Sequence, residues 1–346
     1  MTNISSPSLD NIVVAIPCYN SQSTIGETIE NTLEQTYGDF QIVVYDDGST
    51  DASPDIVKSF EDRDSRVTLH RNEVNRGRPQ ARNALLGLAS DGFIAWQDAD
   101  DLWHPSKIAK QVSFYEEMYQ KYGYDKIALV SSLDRRKPRE GTDDDYYLSK
   151  ILNQGYYGAL HPPLEYDMNF VCSSKYMSFP FYLQSTFARA SHFIEAGGFD
   201  NDIPWYEDLV MGMKLLGTGT KIFGLKSDVP LAYYFSGAPR LKPEIIISCL
   251  KRIYKNNAEA LSECGIDIEY DLTLRKLTLL FLGMIRKREF SVALDVLAQD
   301  SSFVLKHSEL EALLISNLGL LQKAINLAAS IENETHSKAA PMLTSA

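Results

Sequence analysis

Cysteine and histidine are scarce in this chain of 346 residues, which holds four cysteines and six histidines. The cysteines are Cys18, Cys172, Cys249 and Cys264, and no two of them form a Cys-x-x-Cys pair. The histidines include no His-Glu-x-x-His pattern. Because disulfide frameworks and zinc sites need such groupings, the sequence argues against both and is typical of a protein in a reducing cytoplasm.

Long apolar runs and an excess of basic charge are also missing. No stretch approaches the roughly 18 consecutive apolar residues that a membrane span requires. The opening MTNISSPSLD lacks the basic and then apolar order of a signal peptide. Lysine and arginine number 34 against 46 aspartate and glutamate, which gives a formal net charge of −12. This balance argues against a nucleic-acid partner, since non-specific binding needs a basic surface.

Two nucleotide-binding patterns are absent, Gly-x-Gly-x-x-Gly after the first strand and Gly-x-x-x-x-Gly-Lys-[Ser/Thr] anywhere. Their absence argues against a dinucleotide site and a P-loop. What is present is the composition of a globular protein, 44% apolar and 23% charged, which can build a sizeable core.

Short apolar runs alternate with helical segments over the first 132 residues. The runs NIVVAI, FQIVVY, RVTLH, GFIAW and KIALV do not alternate with polar residues, which predicts strands covered on both faces. Helices are predicted from near Thr24 and near Asn75, with Asn75 as the second helix's N-cap. The buried face of that second helix is predicted to contain Ala81, Ala84, Leu85 and Leu88. Repeated strand–helix–strand units predict an α/β fold, a mainly parallel sheet flanked by helices.

The pattern changes after Ser132. Residues 133–180 are irregular and rich in aromatics, and a long irregular segment is more often functional or mobile than structural. A strand at YLQSTFA, a helix closed by Gly197 and Gly198, a helix from near Trp205 and strands at KIFGL and PLAYYF follow. From Pro243 the periodicity is helical. The predicted division is an α/β domain at residues 1–240, a helical region at residues 241–332 and a disordered tail at residues 333–346.

Unusual residues follow the first two strands, at the edge where open α/β sheets bind ligands. AIPCYN places Pro17 and Tyr19 there, and a ligand-binding aromatic corner and a plain turn explain this stretch equally well. YDDGSTDAS ends the second strand with Asp46 and Asp47. Turn and capping chemistry does not explain these two adjacent acids, and a carboxylate there could accept the N3–H of a pyrimidine base.

Three arginines, Arg76, Arg78 and Arg82, lie near the start of the helix in NRGRPQARN. The helix macrodipole disfavours cations at this end by a few tenths to about 1 kcal/mol each. Salt bridges to surface acids would offset that cost, and so would a bound phosphate.

Acids crowd the end of the fourth strand in FIAWQDADDLWHP. On an extended chain Asp98 and Asp100 share one side, while Asp101 faces away unless the chain turns. Acidic turns are common on surfaces, but at a carboxyl edge beside the other two motifs this cluster favours a divalent cation. Hard cations bind through one or two carboxylates together with phosphate oxygens and water.

A second acidic pair, Glu207 and Asp208, opens the helix in WYEDLVMG. Acids are favoured in a first helical turn by the macrodipole, which explains the pair without function. Adjacent helical residues project about 100° apart, so at most one of them faces a given cleft. Asp208 flanks the apolar face of Leu209, Met213 and Leu216 and could act as a general base.

Taken together, these stretches resemble the family-2 glycosyltransferases of the GT-A fold. The resemblance rests on VVAIPCYNSQSTIGETIENTLEQTYGDFQIVVYDDGSTD, NRGRPQARNALLGLASDGFIAWQDADDLW and GGFD with WYEDLVMGMKL, and it covers residues 11–234. It implies a nucleotide-sugar donor, with a UDP-sugar favoured, a Mg²⁺ or Mn²⁺ cofactor and inversion at the anomeric carbon. A glycan or lipid-linked sugar acceptor and a place in cell-surface polysaccharide synthesis follow from the same resemblance.

The family's site residues carry over onto matching positions. The resemblance implies that Pro17 and Tyr19 line the nucleotide pocket, Asp47 holds the base and Arg78 approaches the diphosphate. The acids share the remaining roles: Asp98 and Asp100 serve the ribose and metal region, Asp100 and Asp101 bind the metal with Asp101 as the direct ligand, Asp208 is the general base and Glu207 is its neighbour.

Two departures and two alternatives remain. A histidine that many members carry after the last strand is absent from YYFSGAPRLKP. The Gln-x-x-Arg-Trp pattern of processive synthases is also absent, and this absence favours transfer of a single sugar.

The main alternative is a non-catalytic nucleotide-sugar-binding scaffold that acts through its helical tail. A nucleotidyltransferase fits poorly, because no glycine-rich, lysine-bearing loop follows the first strand. The sequence leaves open the oligomeric state and a peripheral contact with the inner face of the membrane.

Overall fold

The computed structural model describes residues 9–131, 133–136, 165–166, 181–235, 243–256, 258 and 262. The strands are β1 (Ile12–Cys18), β2 (Gln41–Asp46), β3 (Val67–Arg71), β4 (Phe93–Trp96), β5 (Leu102–Trp103), β6 (Ile127–Ser131), β7 (Leu133–Arg136), β8 (Glu165–Tyr166), β9 (Thr186–Arg189), β10 (Lys221–Leu225) and β11 (Ala232–Phe235). The helices are α1 (Ile25–Leu33), α2 (Ser53–Glu61), α3 (Arg78–Leu88), α4 (Lys107–Tyr122), α5 (Ala190–Glu195), α6 (Glu207–Gly217) and α7 (Pro243–Asn256).

The main sheet has eight strands in the order β3-β2-β1-β4-β9-β6-β10-β8. Strands β3, β2, β1 and β4 are parallel neighbours, as are β6 and β10. The predicted α/β fold with a mainly parallel sheet is confirmed. Two strands are exceptions. Strand β9 lies between β4 and β6 and runs antiparallel to both, and the two-residue strand β8 runs antiparallel to its neighbour β10.

A second, three-stranded sheet has the order β5-β11-β7, with β11 antiparallel to β5 and parallel to β7. Of its strands, the sequence predicted only β11. This sheet carries the chain that follows the acidic motif, because β5 begins at Leu102, directly after Asp101.

Both faces of the main sheet are covered, as the non-alternating apolar runs predicted. Val13 and Ala15 of β1 face a core shared with α3, α5 and α6, whereas Ile12, Val14 and Ile16 face a second core shared with α1, α2 and α4. Burial on both sides fixes the strand register, since a slip by one residue would exchange the two sets of side chains.

Helix α3 departs from its prediction at both ends. Its N-cap is Gly77, with φ of 95°, so the prediction of Asn75 as the cap is wrong. Leu88 is 44% exposed, and the buried face instead includes Arg82 and Leu86 beside Ala81. The hydrophobic pattern failed here because a buried arginine occupies a position that apolar periodicity would leave to solvent.

The predicted helical region is described only at its start. In α7, Cys249, Ile253 and Tyr254 pack into the same core as α6. Residues 263–346 and most of residues 133–180 lie outside the described residues, so the domain division remains a prediction. None of the helices in the described part of the chain is long and apolar enough to cross a membrane.

Candidate active site

The loops after β1 and β2 are joined at the carboxyl edge of the sheet. Asn20, with φ of 49°, donates its N–H to Ser49 Oγ at 2.8 Å, and its Oδ1 accepts the N–H of Thr50 at 2.9 Å. Pro17 is half-buried within β1, whereas Tyr19 is 47% exposed. The ring of Tyr19 is thus accessible at the edge where the sequence predicts a nucleotide.

Asp47 lies buried beneath the start of α3. Its carboxylate accepts hydrogen bonds from Asn72 Nδ2 at 3.1 Å, from the N–H of Arg76 and from the N–H of Gly77 at 2.7 Å. Buried carboxylates need such donors because desolvation of the charge is costly. Asp47 therefore shapes the turn that leads into α3. Its role in holding a base stays a prediction.

Gly48 allows the loop after β2 to lie close to the turn that leads into α3. It has φ of 74°, and a Cβ on it would lie 2.6 Å from the carbonyl carbon of Val74 and 2.7 Å from the nitrogen of Asn75. Any larger residue would push the two loops apart. The neighbouring acid, Asp46, is held by Arg71, whose Nε lies 3.1 Å from Asp46 Oδ2.

The arginines of α3 pair with acids from two distant parts of the chain. Arg78 Nη1 lies 3.0 Å from Glu207 Oε1, and Arg82 Nη1 lies 2.5 Å from the same oxygen. Arg82 Nη2 lies 3.2 Å from Asp98 Oδ1. Salt bridges therefore offset the unfavourable interaction between these two arginines and the positive end of the helix macrodipole. Arg78 also lies 5.7 Å from the ring of Trp205, and its predicted contact with the diphosphate stays a prediction.

The acidic residues after β4 are placed differently from one another. Asp98 is partly exposed beside Arg82, and Asp100 is exposed. Asp101 is fully buried, and its Oδ1 accepts the N–H of Phe235, at the end of β11, at 3.1 Å. Asp98 and Asp100 are therefore more accessible to solvent than Asp101, whose assignment as the metal ligand remains a prediction.

The donor set of this loop fits a hard divalent cation. Within the described residues there is no cluster of three or more His, Cys, Asp or Glu side chains arranged to hold a metal ion. A cation shared with a diphosphate does not need one, because one or two carboxylates plus phosphate oxygens and water complete its shell. Asp98 and Asp100 supply oxygen atoms of the required kind.

Glu207 and Asp208 lie in the first turn of α6, which follows Tyr206 in a left-handed conformation with φ of 64°. Glu207 is buried against the two arginines, whereas Asp208 is half-buried and accepts the N–H of Leu209 at 2.8 Å. Desolvation and then the negative charge of Glu207 raise the pKa of Asp208 to about 7. A carboxyl group with that pKa can accept a proton near neutral pH.

Asp98 and the Glu207–Asp208 pair belong to one cluster through Arg82, although Asp98 and Glu207 are far apart in sequence. The sequence analysis expected salt bridges to surface acids or a bound phosphate for Arg82, but it did not identify Asp98 and Glu207 as its partners. Its spacing was the available signal, because Arg78 and Arg82 are four residues apart and therefore share one helix face. Sequence reasoning also missed the polar residues of α1 that contact the acidic loop, which are described below.

Residues 13–162 match the protein family described as Glycosyl transferase family 2. The chain is 33% identical over 135 residues to the UDP-Glc:alpha-D-GlcNAc-diphosphoundecaprenol beta-1,3-glucosyltransferase WfaP of Escherichia coli, which covers 38% of this chain and 53% of that protein. It is 35% identical over 126 residues to WfgD of Escherichia coli, described by the same activity, with 36% and 49% covered. The chain thus spans about half the length of these relatives.

Among solved structures, S. aureus TarS 1-349 in complex with UDP-GlcNAc is similar, with a TM-score of 0.55 and 18% identity over 91% of this chain and 81% of that one. GalNAc-T7 with UDP, GalNAc and Mn²⁺ has a TM-score of 0.51 and 17% identity over 72% of this chain and 48% of that one. At such identities the likeness shows the fold alone. The predicted GT-A fold is confirmed.

Proposed function

We propose that this chain, whose residues 13–162 match the family described as Glycosyl transferase family 2, transfers one sugar from a nucleotide-diphosphate donor, a UDP-sugar, to an acceptor hydroxyl. The proposed acceptor is a glycan or a lipid-linked sugar, and the proposed setting is cell-surface polysaccharide synthesis. Transfer by a single displacement would invert the anomeric carbon. The WfaP and WfgD names, each a glucosyl transfer to a lipid-linked sugar, support this choice of acceptor.

One observation carries the proposal: Arg82 contacts Asp98 on one side and Glu207 on the other. The acidic loop after β4 and the start of α6 therefore lie next to each other. A donor diphosphate near Asp98 and an acceptor hydroxyl near Asp208 would then be neighbours, as a direct displacement requires.

Asp208 is the proposed general base. It would take the proton of the acceptor hydroxyl while that oxygen forms a bond to the anomeric carbon and the bond from this carbon to the diphosphate oxygen breaks. The electron pair of the broken bond leaves with the nucleoside diphosphate. The raised pKa of Asp208, about 7, makes it a stronger base than an ordinary carboxylate.

Asp98 and Asp100 are the proposed holders of a divalent cation, Mg²⁺ or Mn²⁺, with Asp101 beside them. The cation would neutralise charge on the diphosphate. Tyr19 and Pro17 would border the base, which the accessible ring of Tyr19 supports.

The test uses the full chain with UDP-glucose, UDP-galactose and UDP-GlcNAc, Mn²⁺ or Mg²⁺, and lipid-linked or free sugar acceptors. We expect acceptor-dependent release of UDP and a product of inverted configuration by NMR. Asp208→Asn should retain donor binding by calorimetry and lose about 10²–10⁴-fold in turnover.

The matched control is Asp202→Asn, since Asp202 is 82% exposed in the loop before α6. Near-normal turnover in Asp208→Asn would remove Asp208 from the role of base. Donor binding by the wild-type chain without transfer or hydrolysis would instead support the scaffold alternative.

A further inference from the structure

Helix α1 presents a row of polar side chains to the acidic loop. The row consists of Thr28, Asn31 and Thr32, whose spacing places them on one helix face, together with Gln35, which lies two residues past the end of the helix. All four make hydrogen bonds to residues 97–108, the segment that contains the three acids of the loop. This face is polar although it is largely buried, so its composition reflects the segment that it contacts.

Thr28 contacts the carbonyl groups of the two residues on either side of Asp100. Its side chain is fully buried, and its hydroxyl lies 3.0 Å from the carbonyl oxygen of Ala99 and 3.2 Å from that of Asp101. One hydroxyl donor thus serves two carbonyl groups. Asp100 itself is exposed, whereas the carbonyls of its two neighbours are held by α1.

Asn31 and Gln35 each bind the segment with both ends of an amide. Asn31 Oδ1 accepts the N–H of Trp103 at 2.6 Å, and Asn31 Nδ2 donates to the carbonyl of Trp103 at 3.1 Å. Gln35 Nε2 donates to the carbonyl of His104 at 2.9 Å, and its Oε1 accepts the N–H of Ile108 at 3.1 Å. The amide of Asn31 takes the place that a neighbouring strand would occupy beside β5.

Thr32 reaches the residue that precedes the acids. Its hydroxyl lies 2.6 Å from Gln97 Oε1, and Gln97 Nε2 in turn donates to the carbonyl of Asp101 at 3.3 Å. Gln97 is fully buried and pairs its N–H with Ala15 of β1 at 3.1 Å. The loop is therefore tied to the sheet at its start and to α1 along its length.

From these contacts we infer that the polar row of α1 positions the acidic loop, with Thr28 and Asn31 as positioning residues for the carboxylates of Asp98 and Asp100. The inference rests on the proposed function in taking those carboxylates as the groups that receive the cation and diphosphate. Residues 97–101 lie beyond the end of β4, and side-chain donors from Thr28 and Gln97 meet the carbonyls of Ala99 and Asp101. Loss of a donor leaves buried carbonyls unpaired, and the loop shifts to find new partners.

The test compares Thr28→Val, which keeps the shape of Thr28 but removes its hydroxyl, with Thr28→Ser, which retains the hydroxyl. Asn31→Ala is a second variant at a half-buried position. Glu30→Ala is the matched control, since Glu30 is exposed on the same helix. Three quantities are measured: amide hydrogen exchange in peptides covering residues 97–106, the affinity for UDP with and without Mn²⁺, and kcat/KM for the donor.

In Thr28→Val and Asn31→Ala we expect faster exchange confined to residues 97–106 and a loss of the Mn²⁺-dependent gain in UDP affinity, with metal-free UDP binding unchanged. A displacement near 1 Å predicts a loss of up to about 100-fold in kcat/KM. Thr28→Ser should stay close to wild type in all three measurements, as should Glu30→Ala.

The inference is overturned if Thr28→Val and Asn31→Ala match Glu30→Ala in both exchange and Mn²⁺-dependent binding. It is also overturned if exchange increases over the whole chain, because the effect would then be general destabilisation. If the wild-type chain neither binds UDP with Mn²⁺ nor transfers sugar, the proposed function is contradicted instead. The hydrogen-exchange data would still test whether α1 holds the acidic loop in place.

Discussion

Arg82 and Glu207 form an ion pair in which both side chains are 4% exposed and Nη1 lies 2.5 Å from Oε1. A second nitrogen of Arg82 lies 3.2 Å from Asp98 Oδ1. Desolvation makes buried ion pairs costly, and apolar replacements are often no less stable. The ion pair is therefore better explained by its effect on the positions of two segments than by a contribution to stability. It holds the acidic loop next to the start of α6.

Substitution of Arg82 by methionine should destabilise the fold. Arg82→Met leaves the buried charge of Glu207 with Arg78 alone, and removal of one partner from a buried pair costs about 3–5 kcal/mol. The exposed pair of Lys58 and Glu61 provides the control, and Lys58→Met should cost far less than Arg82→Met because exposed ion pairs contribute little to stability. Urea unfolding of both variants measures the difference.

The double variant Arg82→Met/Glu207→Met separates charge from packing. Because both charges are then absent, we expect it to recover much of the stability that Arg82→Met loses. If Arg82→Met is no less stable than Lys58→Met, the ion pair is not a buried one in solution.

Substitution of Glu207 by glutamine should move the pH profile of the reaction. The base must be deprotonated, so kcat/KM of the wild type should rise with pH through the pKa of Asp208, about 7. The charge of Glu207 raises that pKa, while Arg82 and Arg78 lower it. In Glu207→Gln the raising charge is gone and the arginines remain, so the rise should shift to lower pH.

This shift is measured as kcat/KM against pH for Glu207→Gln and for Glu195→Gln, an exposed acid paired with Lys126. If kcat/KM of Glu207→Gln is lower at every pH but rises at the same pH as in the wild type, Glu207 supports the structure of the site and does not change the pKa of Asp208.

The main sheet could be predicted from sequence because its strands are short apolar runs with helices between them. The antiparallel direction of β9 could not, since a strand's direction depends on where the preceding chain enters the sheet. The two-residue strands β5 and β8 are too short to leave a pattern. Strand β5 forms because Asn31 and β11 pair with Trp103 from either side, a contact between distant segments.

The candidate site also contains residues that the sequence could place and residues that it could not. Residues at strand ends, such as Asp47 and Asp98, could be placed at the carboxyl edge from sequence, because parallel strands end together. Their partners could not be placed. Arg82 meets Glu207 across 125 positions, and Thr28 meets Ala99 across 71. Such pairs are set by how α1, α3 and α6 pack on the sheet.

Substitution of Asp208 by asparagine should stabilise the fold, and more so at higher pH. The pKa of Asp208 is about 7 in the folded chain against 3.8 ordinarily, so between these values the folded state keeps a proton that the unfolded state has released. Stability therefore falls as pH rises through this window, and Asp208→Asn escapes that loss. The amide can still accept the N–H of Leu209. We expect the gain in Tm to be larger at about pH 8 than at about pH 5. The exposed variant Asp228→Asn is the control, and an equal gain at both pH values would show that Asp208 titrates like an ordinary carboxyl group.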